Sequence, residues 1–457
     1  MLNSKRDYGL VSLLFASTAL FVFITYFTER YDSVQLILLY SGAFLMYIWT
    51  INTVRTKQQI DIVVYGSIAM RLSLLFALPN LSDDLYRFVW DGRLLANGIN
   101  PFSELPSYYL AEGAPNIPGN DQELYDKLNS PEYFTIYPPV AQLVFWITAK
   151  LSPTSVWGSG VIMRSFIILV EIGNTYLIRA LLKRYGVAPK HVLLYALNPL
   201  VILELSGNLH FEAFMIFFSL LAAYLLHKGK WLYATIPFAL AIASKLIPLI
   251  FLPLIFKRLA FKKLILFYLL TGAVTALLFL PLLSQSLIDG MTSSVSLYFQ
   301  KFEFNASVYY VVREIGYAVR GYNIIQTAGK YMALITFIII IGYALLVKVK
   351  KVDLLQSMMW VLLVYFLMTT TLHPWYVATL LALSVFTRFK FSVIWTFLIF
   401  LTYAGYTETG FQENLTITIV EYLITVSVLV IELIRPKQID SLFNNLFKMR
   451  ISEQNAA

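Results

Sequence analysis

The chain has 457 residues, 58% of them hydrophobic and 13% charged, against about 25% charged in a soluble domain, which excludes an ordinary soluble enzyme. The net charge of +9 does not point to nucleic acid, because Lys and Arg fall in short clusters between apolar runs instead of forming one basic face with stacking aromatics. With no cysteine in the chain, disulfides and thiolate metal sites are excluded as well.

The first apolar run, Tyr8 to Thr28, follows Lys5 and Arg6. It is too long for a signal-peptide core and no small-residue cleavage pattern follows it, so it is expected to remain as a membrane anchor. Runs near the roughly 20 residues needed to cross a hydrocarbon core then recur at 33–54, 60–79, 158–182, 189–206, 211–227, 264–283, 330–348, 354–372, 374–388, 391–407 and 415–434. Residues 138–151 begin with Pro138 and Pro139, are short for a span, and are read as dipping in from the outer side. Residues 231–256 are interrupted by Ser244, Lys245 and Pro248 and carry Lys at both flanks, which predicts a broken hairpin.

This threading places Arg55/Lys57, Lys183/Arg184/Lys190, Lys228/Lys230, Lys257 to Lys263, Lys348 to Lys351, Arg388/Lys390 and Arg435/Lys437 on one side, as cytoplasmic loops require. The opposite, outer side holds two long loops, 80–137 and 284–329. The expected fold is an all-α integral membrane bundle of about 12–14 transmembrane helices. It forms a single polytopic domain over 1–437, with interfacial helices in the first outer loop and a cytoplasmic polar tail at 438–457.

The first outer loop opens with SDDLYRFVWDGRLLANGINPF, residues 82–102. Apolar residues at 85, 88, 89, 95 and 96 make one helical stripe, Ser82 is a candidate N-cap, and Asn97-Gly98 with Pro101 end the helix. Asp83 and Asp84 suit a helix N-terminus electrostatically. They are equally of the kind needed for a general base held at a membrane surface, and together with Asp91 they could hold a divalent cation, so a metal requirement stays open. Arg87 and Arg93 are candidates for phosphate contact, or for snorkelling and pairing with Asp91.

Other polar groups cluster at helix mouths on the same side. Tyr137 closes the first loop, Asn208, His210 and Glu212 lie in one short turn, and His373 and Tyr376 sit between two spans. Lys245 breaks the hairpin at its outer tip. A charge at mid-bilayer costs about 2.5–3.5 kcal/mol on insertion scales, so Lys245 is expected to hold an anion such as a lipid phosphate, or to pair with a glutamate such as Glu204. Glu303-Phe304-Asn305 is a weaker feature of the second loop. Arg71 and Glu171 each fall near the middle of a span and are expected to pair structurally. Walker, dinucleotide, HExxH and GxSxG motifs are absent from the sequence.

The acidic pair in its loop, TIYPP (135–139), ALNPL (196–200) followed by GNLHFEA (207–213), the Lys of ASKLIPLIFLP (243–253) and LHPWY (372–376) together resemble the GT-C superfamily of polyprenyl-phosphate-sugar-dependent membrane glycosyltransferases, in particular its mannosyltransferase-like bacterial branch. The resemblance covers about residues 60 to 390. It implies an inverting transfer of a single sugar, mannose by the branch, from a polyprenyl-phosphate donor to a lipid or glycan acceptor. It also implies an active site on the periplasmic or extracellular face of a bacterial inner membrane, with Asp83 as base and Asp84 its close competitor. Membrane lipids and the lipid-phosphate sugar are the expected partners, and nucleic acid is not one. A lipid-linked-sugar flippase and an O-antigen ligase or polymerase are the alternatives; paired helix interruptions or one very large outer loop would have favoured them.

Overall fold

The computed structural model describes residues 5–285, 287, 302–435 and 437. The tail expected at 438–457 and part of the second outer loop lie outside the described residues. The chain is 73% helical, with a two-residue hairpin, Tyr406–Thr407 against Gly410–Phe411. Helix is what such apolar runs must form, since backbone groups in hydrocarbon have to be satisfied within their own segment.

Six described helices are long and apolar enough to span a bilayer: Arg6–Phe27, Ser33–Thr53, Val156–Tyr185, Phe261–Leu282, Ile325–Leu346 and Leu415–Ile434. Counting Val201–Gly207 with Glu212–His227 as one interrupted span makes seven, and five further apolar helices have 10–17 residues. The protein is therefore a multi-pass membrane protein, but several expected continuous spans are broken. Within 189–206, Pro199 has no N–H to give to the Tyr195 carbonyl, so a short helix Val192–Ala196 gives way to a π-helical turn, Val201–Gly207. The span expected at 60–79 begins earlier, at Lys57, because Thr56 and Gln59 close a capping box that satisfies two N-terminal donors.

The chain divides into two compact units. The first comprises Met1–Leu81, Ile168–His210 and His373–Ala457. At its centre Arg71 donates to Glu171 at 3.1 Å, both side chains almost fully buried. Glu171 also accepts from Tyr195 Oη at 2.7 Å and Asn174 Nδ2 at 2.8 Å, while Arg71 reaches the Ala196 carbonyl at 2.7 Å. The pairing expected from sequence is present, and four side chains share it. Elsewhere Tyr40 stacks on Phe400 at 3.6 Å and donates to the Thr396 carbonyl. The buried Glu432 carboxylate accepts the backbone N–H groups of Lys390 and Phe391, which begin the helix Phe391–Leu398 and have no intrahelical acceptor.

The second unit comprises Ser82–Ile167 and Phe211–Leu372. The helix Asp84–Ala96 packs along Pro139–Leu151, and Gly92 marks the closest approach. A Cβ added there would meet the Phe145 backbone carbonyl, 2.8 Å from its carbon, an obstacle that cannot swing aside. Gly92→Ala is expected to destabilise by about 1–3 kcal/mol, read as a lower thermal midpoint in detergent. Gly42→Ala, whose Cβ makes an ordinary 3.6 Å contact, should leave the midpoint in place.

The broken hairpin expected at 231–256 is present. The helix Trp231–Ser244 stops where Pro248 cannot donate to the Ser244 carbonyl. Lys245 is extended, and a 3-10 stretch Ile247–Ile255 follows. The segment expected as the second outer loop carries a helix, Val308–Arg320, preceded by a strap in which the Phe304 N–H donates to the Thr370 carbonyl and the Phe304 carbonyl accepts from the Leu372 N–H.

Candidate active site

The site is built on the N-terminus of Asp84–Ala96. Asp83 occupies the cap position without a capping side-chain bond, and it is Ser82 Oγ that accepts from the Asp84 N–H at 3.3 Å. The first turn therefore leaves the Asp84 carboxylate to interact across the loop. Asn129 Nδ2 donates to Asp84 Oδ1 at 2.7 Å, and the Tyr137 hydroxyl is a second partner. Tyr137 is held edge-on to Phe88 at 4.8 Å, within a cluster that includes Phe145 and Phe211.

Lys245 and Glu212 also lie close enough to act on Asp84 electrostatically. Burial raises the Asp84 carboxyl above its ordinary range; the Asn129 and Tyr137 hydrogen bonds and the Lys245 charge oppose that rise, and Glu212 adds to it. Lys245 itself donates to Glu212 Oε1, with Glu212 buried and Lys245 partly open. The lysine is thus paired with a glutamate, as one reading of the sequence allowed, and that glutamate is Glu212.

Of the two readings the sequence allowed for Arg87, the structure shows the pairing with Asp91, whereas Arg93 is buried on other partners. Arg87 is buried, donates to Asp91 at 2.9 Å and reaches the Tyr133 carbonyl at 2.9 Å. Asp91 also accepts from Gln142 at 3.1 Å. Arg93 is bound by the carbonyls of Pro153, Thr154 and Gly119. These residues brace the loop with their charges turned inward, and a phosphate would have to displace those bonds. Asp91 is likewise committed away from Asp83 and Asp84, and no group of three or more potential metal ligands occurs among the described residues.

In the first unit the remaining candidates form their own cluster. Glu204, on the π-helical turn and fully buried, accepts from Tyr403 Oη at 2.8 Å and Asn208 Nδ2 at 3.2 Å. His210 Nδ1 lies 2.8 Å from the Glu204 carbonyl oxygen. The chain reaches His210 through Leu209, whose φ of +64° is rare for a non-glycine residue. The His210 ring stacks on Trp375 at 3.8 Å, and Trp375 stacks on His373 at 4.4 Å. Two parallel rings so near one indole cannot share a face, so both faces of Trp375 are covered and it has no face free for a sugar. Tyr376 meets His373 edge-on at 5.5 Å.

Sequence reasoning did not single out Asn129, Tyr403 or Trp375 as site residues. Asn129 carries no local motif, and only the path of the loop brings it to Asp84. For Trp375 the LHPWY run was the available signal.

Beside the Lys245 break, within the second unit, an apolar cleft of about 840 Å³ runs between the broken hairpin and the helices Phe261–Phe279 and Ile325–Leu346. Gly272, Thr275 and Ala276 line it with small side chains. A second cavity of about 280 Å³ shares Leu249 and Pro253 with it and extends to Tyr365, which feels the Lys245 charge.

No curated protein matches the chain. A family model does: MptA_B family, described as Alpha-(1->6)-mannopyranosyltransferase, N-terminal domain, matches residues 12–260. That stretch is more than half of the chain and takes in Asp84, Tyr137, Glu212 and Lys245. With a many-helix membrane fold and this family match both in hand, the chain belongs to the MptA_B family and is a GT-C-type mannosyltransferase.

Proposed function

We propose that the protein transfers one mannose from a polyprenyl-phosphate donor to a hydroxyl of a lipid or glycan acceptor at the outer membrane face, with inversion at the anomeric carbon. The observation that carries this reading is the Asp84 carboxylate, held by Asn129 and Tyr137, within electrostatic reach of Lys245 at the break of a hairpin whose flanking residues Ile242 and Leu249 line an apolar cleft. Asp84 takes the proton from the acceptor hydroxyl as its oxygen forms the new bond to the anomeric carbon. The bond from that carbon to the phosphate oxygen breaks on the opposite face, and the polyprenyl phosphate leaves as an anion. Lys245, released in part from Glu212, meets the growing phosphate charge, while the isoprenoid tail lies in the cleft. An α-(1→6) product, as in the family's description, formed with inversion requires a donor whose sugar–phosphate bond is β.

Purified protein given radiolabelled polyprenyl-phosphate mannose and mixed membrane-lipid acceptors tests this. Transfer to give an α-linked product from the β donor is the expected result. A product with retained configuration would overturn the single-displacement step, and no transfer from any mannosyl lipid phosphate would overturn the donor class.

The raised Asp84 pKa has a signed consequence. A base works ionised, so kcat/KM falls as pH drops through the Asp84 pKa, above the roughly 3.9 of an ordinary aspartate. Asn129 favours the ionised form. Asn129→Ala is therefore expected to move the acid limb of the pH–rate profile to higher pH. A limb that stayed in place, or moved down, would show that another group controls it.

A further inference from the structure

The helix Val308–Arg320 is turned inside out relative to a soluble surface helix. Its charged Arg313 faces inward, where it pairs with Glu303 at 3.0 Å and lies over the Tyr310 ring at 4.2 Å. Tyr309 and Tyr310 pack on Ile325, Ala328 and Met332 of the following span. The outward face carries Val311, Ile315 and Val319 at 62%, 56% and 73% exposure, with Val308 at its start. Spacings of 3, 4 and 4 residues at 100° each put Val308, Val311, Ile315 and Val319 in a stripe about 80° wide, roughly opposite Arg313. Glu314 and Arg320, also exposed, lie to either side of the stripe, and an apolar stripe with a polar border of this kind marks a surface that meets a partner or a membrane.

Position says which of the two it meets. Four residues separate Arg320 from Ile325, where the span Ile325–Leu346 begins, a reach of at most about 17 Å. The contacts from Ile325 to Met332 place the loop helix beside the first ~10 Å of that span, at the end opposite the Lys348–Lys351 cluster. The span itself leaves Tyr331, Leu334 and Ile338 exposed, as a helix bordered by lipid does.

We infer that Val308–Arg320 is a second-loop interfacial helix, embedded in the lipid headgroup and upper acyl region through Val311, Ile315 and Val319. The inference is independent of the chemistry proposed for Asp84 and Lys245. It gives the strap ahead of this helix a fixed mounting, because Glu303 is tied to Arg313 and Ser307 Oγ to the Leu367 carbonyl.

The chain has no cysteine, so single-cysteine variants at 311, 315 and 319, with 314 and 317 for comparison, can be spin-labelled in the otherwise native protein in phosphatidylcholine–phosphatidylglycerol vesicles. The expected result is a several-fold higher ratio of oxygen to nickel-chelate collisions at 311, 315 and 319 than at 314 and 317. Equal access of the chelate to all five would place the stripe in water and overturn the inference. Protection of the stripe from both reagents, with dipolar broadening that disappears on dilution with unlabelled protein, would overturn it in favour of a second copy of the chain.

Discussion

Replacing Asp84 by Asn is expected to lower mannosyl transfer by about 10²–10⁴-fold with little effect on thermal stability or on retention of the lipid donor. The carboxamide keeps the size of the side chain and can still meet Asn129 and Tyr137, but it cannot take a proton from the acceptor. Measuring kcat and KM separately decides the matter, because a loss confined to KM would make Asp84 a binding residue. Asp83→Asn is the necessary companion. If that variant loses activity and Asp84→Asn does not, the base is one residue earlier and the raised Asp84 pKa serves some other purpose. Lys245→Met extends the test on the leaving-group side, where kcat should fall more than donor affinity, since the tail cleft is intact and only the charge opposite the departing phosphate is gone.

The largest expected effect on stability lies in the other unit. Removing one partner of the buried Arg71–Glu171 pair leaves an uncompensated charge, which costs about 3–5 kcal/mol. Arg71→Met should therefore lower the thermal midpoint in detergent severely. Arg71→Met combined with Glu171→Met should be milder than the sum of the two single changes, because the second replacement removes the stranded charge. Glu171 also accepts from Tyr195 and Asn174, so the double variant orphans a hydroxyl and an amide and will not return to wild-type stability. A double variant no milder than either single one would show that packing, not charge pairing, governs this position.

What could be read before the structure divides along the range of the forces involved. The start of the aspartate-bearing helix, its end at Asn97-Gly98 and the break at Lys245 rest on caps, glycine and proline, whose effects reach three or four residues. They appear in the fold within a residue or two. Spans expected at 189–206, 374–388 and 391–407 from apolarity alone are broken or shortened, because mean hydropathy does not register that a proline denies a donor or that a segment may be wrapped by neighbours. Arg87 and Arg93 show the same limit for charge. Their sequence context allowed phosphate, and only the course of residues 119–154 supplies the carbonyls that occupy them.

The sequence by itself determined that this is a multi-span helical membrane protein, that its conspicuous polar motifs cluster at helix mouths, and that its acidic loop resembles that of a lipid-linked-sugar transferase. Composition, cation placement and local motif carry those conclusions, and each is a property of residues near one another in the chain. Tertiary structure alone decided that Asn129 and Tyr137 serve Asp84, that Lys245 takes Glu212 as its partner, that Trp375 is enclosed between two imidazoles, and that the second-loop helix turns its apolar stripe outward. A side chain of given charge or shape has many candidate partners along 457 residues, and the packing of distant helices selects among them.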